Sequence, residues 1–244
     1  FDQIIAKLAA DKDFVKAFNA VYPDGLTEAN ITNAIEEFER TLITPNSRFD
    51  KWLRGDDSAL TAQELNGYEL FKKYDCATCH VGPNLGGQSY ELMGLRKHYF
   101  EERGMELTVE DNGRYKETQL ERDRHRFKVP GLRNIEHTWP YYHDGTQVTI
   151  QDAVYSMGIH QSGVELAGTE VDDISAFLKT LTGEYQGKLI TNNNPISTLQ
   201  YDLCCLSRSP DLRFFDSAWS SQVFLMTDFR TTAKSPRIQW RYRS

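Results

Sequence analysis

Apolar side chains recur in steps of three and four through most of the first 188 residues, and recognisable start and stop signals bound each stripe. Phe1, Ile4, Ile5 and Leu8, followed by Phe14, Val15, Phe18 and Val21, predict one or two amphipathic helices ending before Pro23-Asp24-Gly25. Thr27 is placed to cap a further helix with a buried stripe of Ile31, Ile35, Phe38 and Leu42, which Thr44-Pro45-Asn46-Ser47 stops. These pieces are too slight to bury a core alone. They are expected to be the last helices of a truncated N-terminal domain occupying 1–47.

The polar, aromatic stretch from Arg48 to Asp57 reads as a connector. Thr61 and Glu64 then form a capping box, with Leu60 and Leu65 as its hydrophobic staple, and Leu65, Tyr68 and Phe71 carry the apolar stripe towards Cys76. Glycine and proline interrupt Val81 to Gly87, which therefore reads as a loop, either at the surface or running close to a bound group. Residues 90–126 are charged and weakly periodic, predicting a long loop with one short helix. Thr149 and Asp152 start another helix through Ala153 and Val154 to Met157, with Gly158 as its stop. A last helix begins near Thr169, buries Val171, Ile174, Phe177, Leu178 and Leu181, and ends at Gly183. No alternating strand pattern is evident. The fold class is all-α with long loops, and its main domain covers 48–190.

Composition changes this picture at the C-terminus. Residues 191–244 contain no Glu, Gly or His and show no period. They read as an atypical, poorly ordered tail, of the kind a shifted reading frame or a fusion produces. Over the whole chain, 39% hydrophobic and 26% charged residues are ordinary for a globular protein. A net charge of −7 argues against a nucleic-acid surface. No run approaches the roughly 18 apolar residues of a membrane span. The N-terminus lacks both an initiator Met and the basic and apolar regions of a signal peptide, so a longer precursor is expected.

The strongest chemical signal is Cys76-Ala77-Thr78-Cys79-His80. Two thiols three positions apart, followed at once by an imidazole, match a c-type haem attachment site, in which each sulfur forms a thioether and the histidine meets the iron. A structural zinc site would need further ligands, and the remaining cysteines, Cys204 and Cys205, lie in the odd tail. A thioredoxin-like disulfide would follow a strand, whereas a helix precedes this pair. Covalent haem also points to assembly outside the cytoplasmic membrane and hence to the periplasm.

The second axial position of the iron decides between electron transfer and catalysis. Of Met93, Met105, Met157 and Met226, only Met157 sits on an amphipathic helix inside the compact region, where core filling is its alternative role. His98 and His125 lie among charges and read as solvated, and His160 as a surface residue. His137 and His143 flank an aromatic cluster and read as structural, with propionate binding or proton transfer as the other reading.

Several segments together resemble bacterial di-haem cytochrome c peroxidases: Thr44 to Asp50, the Cys76 to His80 site, Phe127 to Asn134, Pro140 to Gly145 and Ala153 to Gly158. The resemblance covers roughly residues 1–188. It implies a cytochrome-c-like helical haem domain, the high-potential electron-transfer half of an enzyme that reduces hydrogen peroxide to water. The electrons would come from a small periplasmic cytochrome c or a cupredoxin. Carried over by position, Cys76 and Cys79 anchor haem c, His80 and Met157 are the axial ligands, and Arg133 is a propionate partner. Backbone carbonyls of Thr138 and Pro140 correspond to calcium ligands, and homodimeric assembly is implied. The peroxidatic haem belongs to the half that carries another such motif, so this chain would be inactive by itself. The rival reading is a stand-alone mono-haem c-type electron carrier.

Overall fold

In a computed structural model, residues 1–191 are described, and they divide into two compact units between Leu42 and Ile43. The atypical tail expected over 191–244 lies, from residue 192 on, outside the described residues.

Among the described residues, the first unit contains α1 (Asp2–Ala9), α2 (Lys12–Val21) and α3 (Glu28–Thr41). Asp11 caps α2 by accepting from the Asp13 and Phe14 amides, and Thr27 caps α3 as its sequence predicts. The buried stripe on α3 differs from expectation. Ile31 and Ala34 are buried against Phe18, with Phe14, Tyr22 and Leu26 around them, whereas Ile35 and Leu42 are exposed. The helix turns its Ile31–Ala34 edge towards α2, which a choice among spacings of three and four could not decide.

The second unit begins with Ile43 and contains α4 (Arg48–Leu53), α5 (Ala62–Lys73), α6 (Cys76–Cys79), β1 (Tyr90–Leu92), α7 (Tyr99–Glu102), α8 (Tyr115–Thr118), β2 (Arg126–Lys128), α9 (Ile150–Met157), α10 (Gly168–Lys179), β3 (Glu184–Tyr185) and β4 (Lys188–Leu189). Its centre is the crossing of α5 and α10. Gly67 makes that crossing close: a Cβ there would lie 1.9 Å from the Asp173 carbonyl oxygen. Phe177 and Leu181 are fully buried, and Phe49, Leu70, Phe71, Val171, Ile174 and Leu178 complete the core around them. Burial of such side chains contributes about 1.5–3 kcal/mol each.

Three expectations change here. Arg48 to Asp57 is not a connector. Ser47 and Asp50 form a capping box for α4, which sends Phe49 into the core, its ring 5.2 Å from Phe177. Strands do occur: β1 pairs antiparallel with β2, Tyr90 opposite Lys128, and β3 with β4. Ladders of two or three residues are too short to show alternation, so the fold is mostly helical with two small sheets. The stretch 90–126 is also more built than a loop with one helix. It contains α7, α8 and single 3-10 turns at Glu110–Asn112 and Glu121–Asp123.

The helix ends differ as well. α9 starts with the Thr149–Asp152 capping box, but Gly158 stays right-handed and a π turn continues over Gly158–Ser162 before Gly163 breaks it at φ 73°. α10 stops at Thr180. Gly183 serves close approach instead, since a Cβ there would sit 2.1 Å from the Thr44 carbonyl. Among the described residues, no helix is long and apolar enough to cross a membrane.

Candidate functional site

The Cys76 to His80 turn is delivered by α5. The reciprocal Thr61–Glu64 box fixes the start of that helix, and Arg48 adds a two-pronged contact to Glu64 at 2.6 Å on each arm. The helix ends at Tyr74, and Asp75 enters the left-handed region at φ 59° to reverse the chain into α6. Cys76 and Cys79 thus lie on one helical turn with free, half-buried thiols. Burial pushes the Cys76 thiol up to about 11 and raises Cys79 too, with Glu91 adding to the latter. A redox-active or zinc-binding pair needs thiolates, which an electropositive setting would favour. The only grouping of three or more metal-ligating side chains among the described residues is elsewhere, at Asp111, His143 and Asp144.

His80 is held by one nitrogen. Its Nδ1 lies 3.0 Å from the Leu85 carbonyl oxygen, and the Pro130 carbonyl also faces the ring. Burial pushes the imidazole below its ordinary range against the opposing pull of those two carbonyls. In the neutral form, a proton on Nδ1 would be donated to Leu85 and leave the Nε2 lone pair for a metal, the arrangement of a metal-ligating histidine oriented by a backbone acceptor. Gly86 makes this possible. At φ 133° it lets the Pro130 carbonyl approach within 2.0 Å of where a Cβ would be. The loop is tied down by Gly87 donating to the Val129 carbonyl and Leu132 to that of Asn84.

Met157 ends α9 and is half-buried. It follows Ala153 and Val154 by four and three positions and so shares their face. Both of those residues pack on the same core cluster as Cys76 and Ala77. Arg133 has partners of its own: Nη1 and Nη2 reach Asp50 at 2.9 and 2.8 Å, and Nε donates to the Pro83 carbonyl at 2.7 Å. These contacts use one N–H of each terminal nitrogen. Thr138 and Pro140 flank Trp139, whose peptide bond to Pro140 is cis.

Two histidines are more enclosed than their neighbours in sequence suggest. His125 is half-buried, its Nδ1 2.7 Å from the Asp111 carbonyl and its ring against Phe100. His160 is buried, with Nδ1 2.8 Å from the Ser156 carbonyl. His98 is exposed, as expected.

The sequence reading missed a charge cluster built on the buried Asp111. Arg103 reaches Asp111 at 2.8 and 3.0 Å and Asp144 at 2.6 Å, while His143 Nε2 lies 2.7 Å from Asp111. The Arg103 hydrogen bonds, over opposing burial, hold Asp111 well below the usual carboxylate range. With a guanidinium already between its carboxylates, the group is an ion-pair network and not a cation site. Asp144 and His143 stand in a visible motif, but Arg103 and Asp111 carry no local signal of their pairing.

Neutral paired thiols, a histidine anchored through Nδ1 and a thioether on a helix sharing the same core form a donor set that fits haem c. The comparisons with known proteins agree with this chemistry. A family model described as di-haem cytochrome c peroxidase matches residues 1–58. Cytochrome c peroxidase Ccp of Escherichia coli K12 is 53% identical over 185 residues, covering 76% of this chain and 39% of that protein. Cytochrome c551 peroxidase of Nitrosomonas europaea is 47% identical over 184 residues, covering 75% and 52%. A crystal structure of a MauG-like protein associated with microbial copper homeostasis superposes with a TM-score of 0.60 at 29% identity, covering 75% of this chain and 62% of that one. The chain spans about half or less of the length of the curated relatives it matches.

Proposed function

Since this chain belongs to the di-haem cytochrome c peroxidase family, we propose that its second unit is the electron-transfer haem domain of a periplasmic enzyme that reduces hydrogen peroxide to water. Haem c would supply an iron that gains and loses one electron. Cys76 and Cys79 anchor it covalently, and their neutral, half-buried thiols suit thioether formation better than thiolate redox chemistry. His80 would hold the iron through Nε2 and Met157 through its thioether. Held by these two side chains, the iron would be suited to passing electrons and not to binding peroxide. The unit accepts electrons from a reduced small cytochrome c or cupredoxin and passes them to a peroxidatic haem held by another part of the longer protein, and it turns over no peroxide by itself. Arg133 steadies the loop beside His80 through the Pro83 carbonyl and keeps N–H groups for a propionate. Calcium binding through the Thr138 and Pro140 carbonyls belongs to the same proposal, as does a homodimeric assembly.

The carrying observation is the anchored His80, whose Nδ1 is committed to Leu85 one residue after a two-thiol turn. The test is a double substitution, Cys76→Ala with Cys79→Ala, followed by haem staining after denaturing electrophoresis. Loss of the stained band at this domain's mass supports the assignment, and full retention overturns it.

A further inference from the structure

Met157 is the last residue of α9, yet the helix does not end in a left-handed cap there; it loosens into the π turn Gly158–Ser162. A π turn widens the ring of backbone hydrogen bonds and recurs at functional sites, so what holds its residues must come largely from outside the helix. Close packing does not supply this hold on every side. Ser156 and His160 line a cavity of about 380 Å³ with Tyr99, Glu102, Thr146 and Gln147.

Hydrogen bonds to other segments supply it. The Gln161 side chain uses both ends of its amide. Oε1 accepts from the Leu95 N–H at 3.0 Å, and Nε2 donates to the Leu92 carbonyl at 3.1 Å, with the Met93 sulfur 3.7 Å away. The His160 carbonyl accepts from the Arg96 N–H at 2.8 Å, and His160 Nδ1 meets the Ser156 carbonyl at 2.8 Å, which closes the stretch of chain from 156 to 160 that contains Met157. In the other direction, the Ser162 hydroxyl donates to the Tyr74 carbonyl at 2.8 Å, two residues before Cys76. The turn after Met157 is therefore bonded both to the end of β1 and to the segment that presents Cys76 and His80.

We propose that Gln161 is a positioning residue for Met157, clamping the π turn to the 92–95 segment so that the thioether is presented to the haem iron. This rests on Met157 being the distal ligand. Losing both amide contacts removes two of the hydrogen bonds that tie the π turn to the 92–95 segment. The expected result is at least a tenfold shift of the ferric ligation equilibrium away from the thioether.

The test uses the haem-loaded full-length protein. The weak red absorption that marks thioether ligation of ferric haem is followed as a competing exogenous ligand is titrated, alongside the midpoint potential and the denaturation midpoint. Gln161→Leu should raise the competitor's apparent affinity about tenfold or more and lower the potential, under conditions in which its denaturation curve shows the protein fully folded. Gln161→Glu, which keeps the acceptor for Leu95, should fall between the two proteins. It also serves if the leucine variant does not accumulate. Met157→Ala separates the two ideas. If it leaves the absorption unchanged, the ligand assignment fails and the clamp with it. If it abolishes the absorption while both Gln161 variants keep wild-type affinity and potential, the clamp alone is overturned.

Discussion

Asp50 and Arg133 face each other as a two-pronged pair, Oδ2 to Nη1 at 2.9 Å and Oδ1 to Nη2 at 2.8 Å, although 83 positions separate them. Both side chains are largely buried, at 8% and 17% exposure. Asp50 also accepts from the Ser47 N–H at the start of α4, so one carboxylate joins the beginning of the second unit to the loop beside His80.

Truncating one partner of such a pair leaves the other charge buried and uncompensated, which costs about 3–5 kcal/mol. Asp50→Ala should fall in that range because it also removes the α4 capping box. Replacing both residues with apolar ones of similar volume should recover part of the loss. Urea denaturation of the two variants against wild type measures this, and equal stabilities of single and double variants would contradict it.

The same carboxylate sets a pH dependence. Burial pushes Asp50 up, but the Arg133 and Ser47 contacts outweigh it, and its folded-state pKa lies below the ordinary value. Asp111 is depressed as well, chiefly by Arg103. For a depressed carboxyl, the unfolded chain binds the proton first as pH falls, so stability is complete above the usual carboxylate pKa of about 4 and declines below it. Denaturation midpoints followed by circular dichroism from neutral pH to about pH 3 should drop steeply in the acid limb. Asp50→Asn should flatten that limb, and a parallel profile would remove Asp50 as a source.

At the crossing of α5 and α10, propensity and packing oppose each other. Alanine in place of a helical glycine ordinarily stabilises by about 0.5–1 kcal/mol. At Gly67, however, the new Cβ would lie 1.9 Å from the Asp173 carbonyl oxygen and 3.0 Å from the Phe177 Cβ. Overpacking costs typically 1–3 kcal/mol or more, so it outweighs the gain, and Gly67→Ala should be net destabilising by about 2 kcal/mol. Gly168→Ala, at the start of α10 with no atom within 4 Å of the new Cβ, should be neutral or slightly stabilising. Matching thermal shifts for the two would show that the helices can move apart freely.

What could be read in the chain was what is local in it. The Thr61–Glu64 and Thr149–Asp152 boxes, the thiol pair with its histidine and the apolar face of α10 each lie within a few turns of sequence, and the structure forms all of them. Contacts that depend on chain return were invisible. The Asp50–Arg133 pair, the 32-residue span from Asp111 to His143 and the 69-residue span from Leu92 to Gln161 leave no periodic trace. α4 was missed because six residues with two aromatics look like a connector until Phe49 is seen against Phe177. His160 looked exposed because its burial comes from the π turn, which a glycine at 158 disguises as a helix stop.

Gly86 and Gly87 differ in a way that tests how His80 is held. Both have positive φ, 133° and 90°, so alanine strains the backbone at either position, by on the order of 1–3 kcal/mol. Only at Gly86 does the added Cβ also meet another segment, 2.0 Å from the Pro130 carbonyl oxygen that faces the His80 ring; at Gly87 there is nothing within 4 Å. Gly86→Ala should therefore displace the Pro130 and Leu85 carbonyls from the imidazole, lower stability by more than Gly87→Ala does, and speed exchange of the His80 Nδ1 proton in nuclear magnetic resonance spectra. Gly87→Ala should leave that proton as protected as in the wild type. Equal exchange rates in the two variants would mean that the approach of Pro130 has no part in orienting the ring.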